Sequence, residues 1–236
     1  MEILITNDDG IDSPGLRKLA EAAARFGHVT VVAPDGQRSA MSQSYSWRED
    51  VCVREKEYPV EGVKAYACSG TPVDCVRIGV LSLLPEKPEF VMAGINAGYN
   101  IARDIRYSAT VGAVLEAADL GAFAVAFSQG NVAYQDIVDR YLQEIMERCI
   151  AEPLPKGQVR NVNFPGCRAE ECQGIRWDCR VSVDSFYVDS YSSKTGEDGS
   201  LLFHLEPGRI WKGSEGTDLE AIIDKYISVG PVRNIG

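Results

Sequence analysis

The sequence predicts an α/β fold that carries a C-terminal β-hairpin extension. Two observations predict it. Over the first two thirds of the chain short apolar runs alternate with segments of helical period, and after Pro165 the texture turns to alternating polar and apolar strands around a Gly/Ser/Asp-rich connection. The chain has 236 residues, which at about 150 residues per domain suits one large domain, or one domain with an extension. We divide it into a core over residues 1–165 with an inserted hairpin, and an extension over 166–236 made of a long hairpin with a returning helix and strand.

Glu2 to Thr6 is a β-rich apolar run ending in Asn7-Asp8-Asp9-Gly10, which reads as a buried parallel strand followed by a polar loop. Pro14 opens a helix with Leu16, Leu19, Ala20 and Ala23 on one face, and His28 to Ala33 is the next strand, completing a β-α-β unit. Pro34 to Trp47 is polar and too long for a simple turn. Asp50–Arg54 and Gly62–Ala67 read as a small hairpin, and Ser69-Gly70-Thr71-Pro72 starts a capped helix. Phe90 to Ala93 is a core strand ending in Gly94-Ile95-Asn96-Ala97-Gly98. A helix follows from Ser108, a strand over Ala122–Phe127, a helix marked by Val138, Leu142 and Ile145, and a strand near Val159–Val162. In the extension, Arg180–Tyr191 and Leu201–Glu206 pair as a long hairpin before a helix over Asp218–Lys225 and a strand over Tyr226–Val229.

Composition narrows the function. Lys and Arg total 24 against 34 Asp and Glu, a net charge of −10, which argues against a nucleic-acid polymer as partner. No apolar run approaches the roughly 18 residues of a spanning helix, so no membrane partner is expected. The first ten residues lack the basic and apolar regions of a signal peptide, and a cytoplasmic location is expected. The seven cysteines form no C-x-x-C and no common zinc spacing, and are read as free thiols.

In a doubly wound sheet, ligands bind outside the carboxyl ends of the strands. Three strand ends deliver polar groups to that edge: Asp8-Asp9, Ser39 and Asn96. Adjacent carboxylates repel unless a cation sits beside them, and a hydroxyl with an amide oxygen completes an all-oxygen shell suited to Mg²⁺ or Mn²⁺. Tyr107-Ser108-Ala109-Thr110-Val111-Gly112 lies where a loop meets a helix, so Ser108 and Thr110 are candidate phosphate contacts, with ordinary N-capping as the bland alternative.

These segments resemble the SurE family, the stationary-phase survival nucleotidases. The resemblance rests on Ile5-Thr6-Asn7-Asp8-Asp9-Gly10, Ala33-Pro34 through Arg38-Ser39, Ser69-Gly70-Thr71-Pro72-Val73-Asp74, Gly94-Ile95-Asn96-Ala97-Gly98-Tyr99-Asn100, Tyr107–Ala113, Asn161-Val162-Asn163-Phe164-Pro165 and Gly216-Thr217-Asp218. It implies a Rossmann-like three-layer core whose C-terminal hairpin is exchanged between subunits, giving a homodimer or a dimer of dimers. It implies a phosphomonoesterase acting on nucleoside 5′- and 3′-monophosphates, and on short polyphosphate. One divalent ion per subunit would be held by Asp8, Asp9, Ser39 and Asn96, with Asp8 and Asp9 catalytic. Asn7, Gly10, Asn100, Ser108, Ala109 and Thr110 would bind substrate and phosphate, and Tyr99 and Tyr107 are candidates for the base pocket. Where the family usually has Gly, Ser and Gly, this chain has Ala40, Ala93 and Ala109. The side chains stay small, but Ala restricts backbone angles that Gly leaves free.

Two rival readings remain at this stage. An aspartyl-phosphate phosphatase also places carboxylates after its first strand, but Asn7 stands where its nucleophile would be. A non-catalytic metal- or nucleotide-sensing module is the other; its usual size, near 120 residues, is well below this chain's.

Overall fold

A computed structural model describes residues 1–233; residues 234–236, the end of the predicted extension, lie outside the described residues. The strands are β1 (Glu2–Thr6), β2 (His28–Pro34), β3 (Val53–Lys56), β4 (Lys64–Cys68), β5 (Phe90–Ala97), β6 (Phe123–Gln129), β7 (Gln158–Phe164), β8 (Ile175–Arg176), β9 (Tyr187–Thr195), β10 (Leu201–Arg209) and β11 (Ile227–Arg233). The α-helices are α1 (Pro14–Ala23), α2 (Pro72–Ile78), α3 (Ala109–Asp119), α4 (Gln135–Ala151) and α5 (Asp218–Ile223). Nine strands form one mixed sheet in the order β3-β4-β2-β1-β5-β6-β7-β11-β8, and β9 pairs with β10 as a separate antiparallel ribbon.

Alternation along the central strands builds the three layers. Ile3 and Ile5 of β1 and Phe90 and Met92 of β5 pack with Leu16 and Leu19 of α1 and Ile137, Leu142 and Ile145 of α4. Leu4, Val91 and Ala93 point to the other face, against Val76 of α2 and Val111 and Val114 of α3. Sequence reading located these elements and their inward faces. The small inserted hairpin expected over residues 50–67 is present, with β3 and β4 paired antiparallel, and β4 also joins β2 in parallel, so the hairpin forms the edge of the main sheet.

Strand β5 runs four residues past Ala93, through a register shift between Ala93 and Asn96. Gly94 makes the shift possible: its φ is +132°, and a Cβ there would lie 2.3 Å from the carbonyl oxygen of Phe127. The first hairpin strand starts and ends later than its apolar run suggests, while the second starts at Leu201 as expected and runs on to Arg209. Residues 180–186 are held to the core instead, because Ser182 N–H donates to buried Asp218 and Phe186 is fully buried.

Asp218 ties the extension to the core. Its carboxylate accepts from the amides of Ala102 (2.9 Å), Ser182 (2.9 Å) and Leu219 (2.8 Å). Asp218→Ala leaves three buried amides without their acceptor and is expected to cost about 2–4 kcal/mol in urea unfolding; an unchanged midpoint would contradict this role. The antiparallel pairing of β11 with β7 brings the chain back into the sheet.

Candidate active site

Strand order reverses between β1 and β5: β2 lies on one side of β1 and β5 on the other, each reached by a connection of its own. The crevice at that switch point is where an open α/β sheet binds its ligand, and Asp8-Asp9 follows β1 there while Asn96 ends β5. Asp8 is 4% exposed. Its Oδ1 accepts from the hydroxyl of Thr110 at 2.6 Å. Asp9 is half-buried, and its Oδ2 accepts from the amide of Ala97 at 3.0 Å, which fixes the loop carrying Asn96 against the carboxylate pair.

Electrostatics at the pair are unfavourable for two bare charges. Burial, reinforced by the neighbouring Asp9 charge and opposed by the Thr110 hydrogen bond, pushes Asp8 up to about 6. Burial also raises Asp9, against the Ala97 amide. The turn itself is set by Asn7, whose side-chain amide donates to the carbonyl of Gly10 (3.0 Å) and to Ser13 Oγ (2.7 Å). Ser13 in turn caps α1. Gly15 lets that helix start against β5, since a Cβ there would fall 2.1 Å from the carbonyl oxygen of Ile95.

The loop after β2 is stitched to the same edge. Ile11 N–H donates to the Pro34 carbonyl (2.8 Å) and Arg38 N–H to the Asp8 carbonyl (2.7 Å), so exposed Ser39 follows directly from the contact. Further on, Ser42 donates from its amide to Tyr107 O (3.1 Å) and from its hydroxyl to Arg106 O (2.7 Å). Ser46 is clamped to Asp74 through its amide and hydroxyl. Ala40, where the family usually has Gly, sits at φ +60°. Ala40→Gly removes that left-handed strain and is expected to raise stability by about 0.5–1 kcal/mol, read as a higher melting temperature; a fall would show that the angle is unstrained. Ala93 and Ala109 have no such conflict, lying in β5 and at the first position of α3.

The other predicted residues divide into two groups. Gly10, at φ +100°, packs against Gly36 in the turn, and Thr110 reaches Asp8. Ser108 is the N-cap of α3, its Oγ accepting from Val111 N–H at 3.0 Å, and Ala109 is buried beside it. Asn100 lies one layer below: its side chain donates to Ser128 Oγ (2.8 Å), and its backbone is held by Asn161 and Asn163. Of that polar network only Asn100 is among the site residues expected from the sequence. The signal for the rest was present, since β7 carries Arg160, Asn161 and Asn163 in a strand that is otherwise core. Tyr99 is buried, its hydroxyl accepting from Gly166 N–H, whereas Tyr107 is 67% exposed at the rim.

A family model described as survival protein SurE matches residues 3–186. The chain belongs to the SurE family. Among its SurE relatives, a protein of Clostridium botulinum (strain Langeland) named 5′-nucleotidase SurE is 38% identical over 238 residues, covering 99% of this chain and 93% of the relative. A protein of the same name from Thermoanaerobacter sp. (strain X514) is 36% identical over 239 residues, covering 99% and 92%. The crystal structure of the SurE protein from Aquifex aeolicus superposes with a TM-score of 0.81 at 32% identity, covering 99% of this chain and 93% of that one. The Rossmann-like α/β core and C-terminal hairpin expected of a SurE chain are thus both present.

Proposed function

We propose that this chain is a divalent-metal-dependent phosphomonoesterase that hydrolyses nucleoside 5′-monophosphates, and 3′-monophosphates and short polyphosphate as further substrates, to release phosphate. The observation that carries the reading is the carboxylate pair at the switch point, each member oriented by one hydrogen bond from a different element. The relatives' shared name, 5′-nucleotidase, supports the reaction class.

The donor set fits one hard cation per subunit. Two carboxylates whose charged form burial disfavours, an exposed hydroxyl and an amide oxygen are all oxygen ligands. Among the described residues Asp9 Oδ1 and Asn96 Oδ1 take no protein hydrogen bond, and Asn7 Oδ1 is buried without a partner. Asp8, Asp9, Ser39 and Asn96 would hold the ion. When bound, a divalent ion polarises a phosphoryl oxygen and acidifies water. The chain's own residues do the rest. Thr110 keeps Asp8 fixed for that task, and Ala97 does the same for Asp9. The N-terminal end of α3, residues Ser108 to Thr110, would receive phosphate oxygens through backbone amides and the dipole. Asn7 and Gly10 shape the turn beneath the substrate, and Asn100 braces the loop after β5.

We assign the exposed hairpin to a homodimer, or a dimer of dimers. Tyr191, Leu201, Phe203 and Leu205 are 41–67% exposed on an arm that stands apart from the main sheet, an apolar load that a second copy would cover. No described helix is long and apolar enough to cross a membrane.

The test is a substrate matrix on the full chain: 5′-AMP, 3′-AMP, the other nucleoside monophosphates and tripolyphosphate, each with Mg²⁺ or Mn²⁺. Phosphate release from monophosphates is expected. Release from none of them with either ion overturns the proposal.

A further inference from the structure

A second cleft, of about 750 Å³, lies between α3, the turn over residues 102–107, the segment 180–183 and the end of β11. Arg103, Arg106, Arg180 and Arg233 line it, and no Asp or Glu does. In a chain of net charge −10 this is a local reversal of sign. None of the four arginines makes an ion pair among the described residues; Arg180 donates one hydrogen bond, to the backbone oxygen of Glu215 at 2.8 Å. Arg103 and Arg106 also border a neighbouring pocket with Asp104 and Asp189, but no described carboxylate pairs directly with the four, and gathering like charges this way is unfavourable unless an anion joins them.

The cleft opens on the other side of α3 from the Asp8 carboxylate, although Ser108 at the helix start and Ser42 and Gln43 of the loop after Ser39 also line it. Ser108, Val111, Gly112 and Leu115 of α3 line it, and at about 100° per residue they fall on the side of the helix opposite Thr110, which reaches Asp8. Guanidinium forks match phosphate oxygens in paired hydrogen bonds, while Leu115, Val181 and Val183 supply apolar wall. The volume falls within the range of small-molecule sites, about 300–1,000 Å³.

We propose that this cleft binds a small organic anion carrying two or more phosphoryl groups. Several unpaired guanidinium groups offer more donors than one phosphoryl group can use. The apolar side favours an organic body over a bare inorganic ion.

The test is calorimetric titration of the full chain with ATP in low salt and excess EDTA. Without metal, the Asp8–Asp9 carboxylates repel the anion, and turnover at that edge does not interfere. Saturable binding of one ATP per chain is expected, weakened about tenfold or more in Arg103→Gln/Arg180→Gln and by added salt. Val183→Asp is a second probe: Val183 is 82% exposed, so the change leaves the fold intact while placing a carboxylate at the cleft, and it is expected to weaken ATP similarly. AMP is expected to bind more weakly than ATP. No saturable binding up to about 1 mM ATP, equal ATP affinity in wild type and both variants, or AMP binding as tightly as ATP, would each overturn the proposal.

Discussion

Asp8→Asn is expected to lower phosphate release from 5′-AMP by about 10³-fold or more, since it removes a charged ligand for an ion that supplies several kcal/mol of transition-state stabilisation. The same change is expected to stabilise the metal-free chain. Burial raises Asp8 from 3.8 to about 6, so the folded state prefers the protonated acid. The resulting contribution is fully present below the unfolded value near 4, and is lost as pH rises to about 6. Above that pH the ionised carboxylate leaves the metal-free fold less stable by about 3 kcal/mol than a neutral group would. Asparagine keeps the acceptor for Thr110 and removes the charge. Calorimetry in EDTA should therefore show a gain of about 1–3 kcal/mol at pH 7.5 and none at pH 4. Equal melting of the two proteins at pH 7.5 would show that Asp8 carries no such load.

Gly112→Ala is expected to reduce kcat/KM about 10- to 100-fold, though Gly112 touches neither carboxylate. A Cβ there would stand 2.3 Å from the backbone oxygen of Ser42, a contact that only movement of the loop can relieve. That loop is the same one that carries Ser39 and is bonded to Asp8 through Arg38 N–H. Displacing it should raise the metal concentration needed for half-maximal activity and cost about 1–3 kcal/mol of stability from overpacking. Activity lost with unchanged metal dependence would place Ser39 outside the ion's shell.

The fold was largely legible because its signals are local. Ile3-Leu4-Ile5, the capped starts at Ser13, Thr71 and Ser108, and the Asn7–Gly10 turn each announce their own element. Long-range pairing was less visible. Nothing within residues 64–68 says that β4 lies beside β2, and the lift of β5 after Gly94 depends on Phe127, over thirty residues away. At the candidate site, Asp8, Asp9 and Asn96 could be read together because chemistry and strand ends coincide. That Thr110 serves Asp8 was hidden, because a threonine at a helix start looks the same whether it faces phosphate or a carboxylate. The charge balance hid the arginine cleft, since its members are spread from residue 103 to residue 233 and meet only in the folded chain.

The most direct test is to titrate Mn²⁺ into the chelator-stripped chain while recording phosphate release from 5′-AMP. No release is expected before metal is added, with activity then rising to saturation in wild type and staying near background in Asp8→Asn and Asp9→Asn. Equal release in excess chelator, or full activity in either variant, would contradict a metal-dependent nucleotidase centred on Asp8 and Asp9.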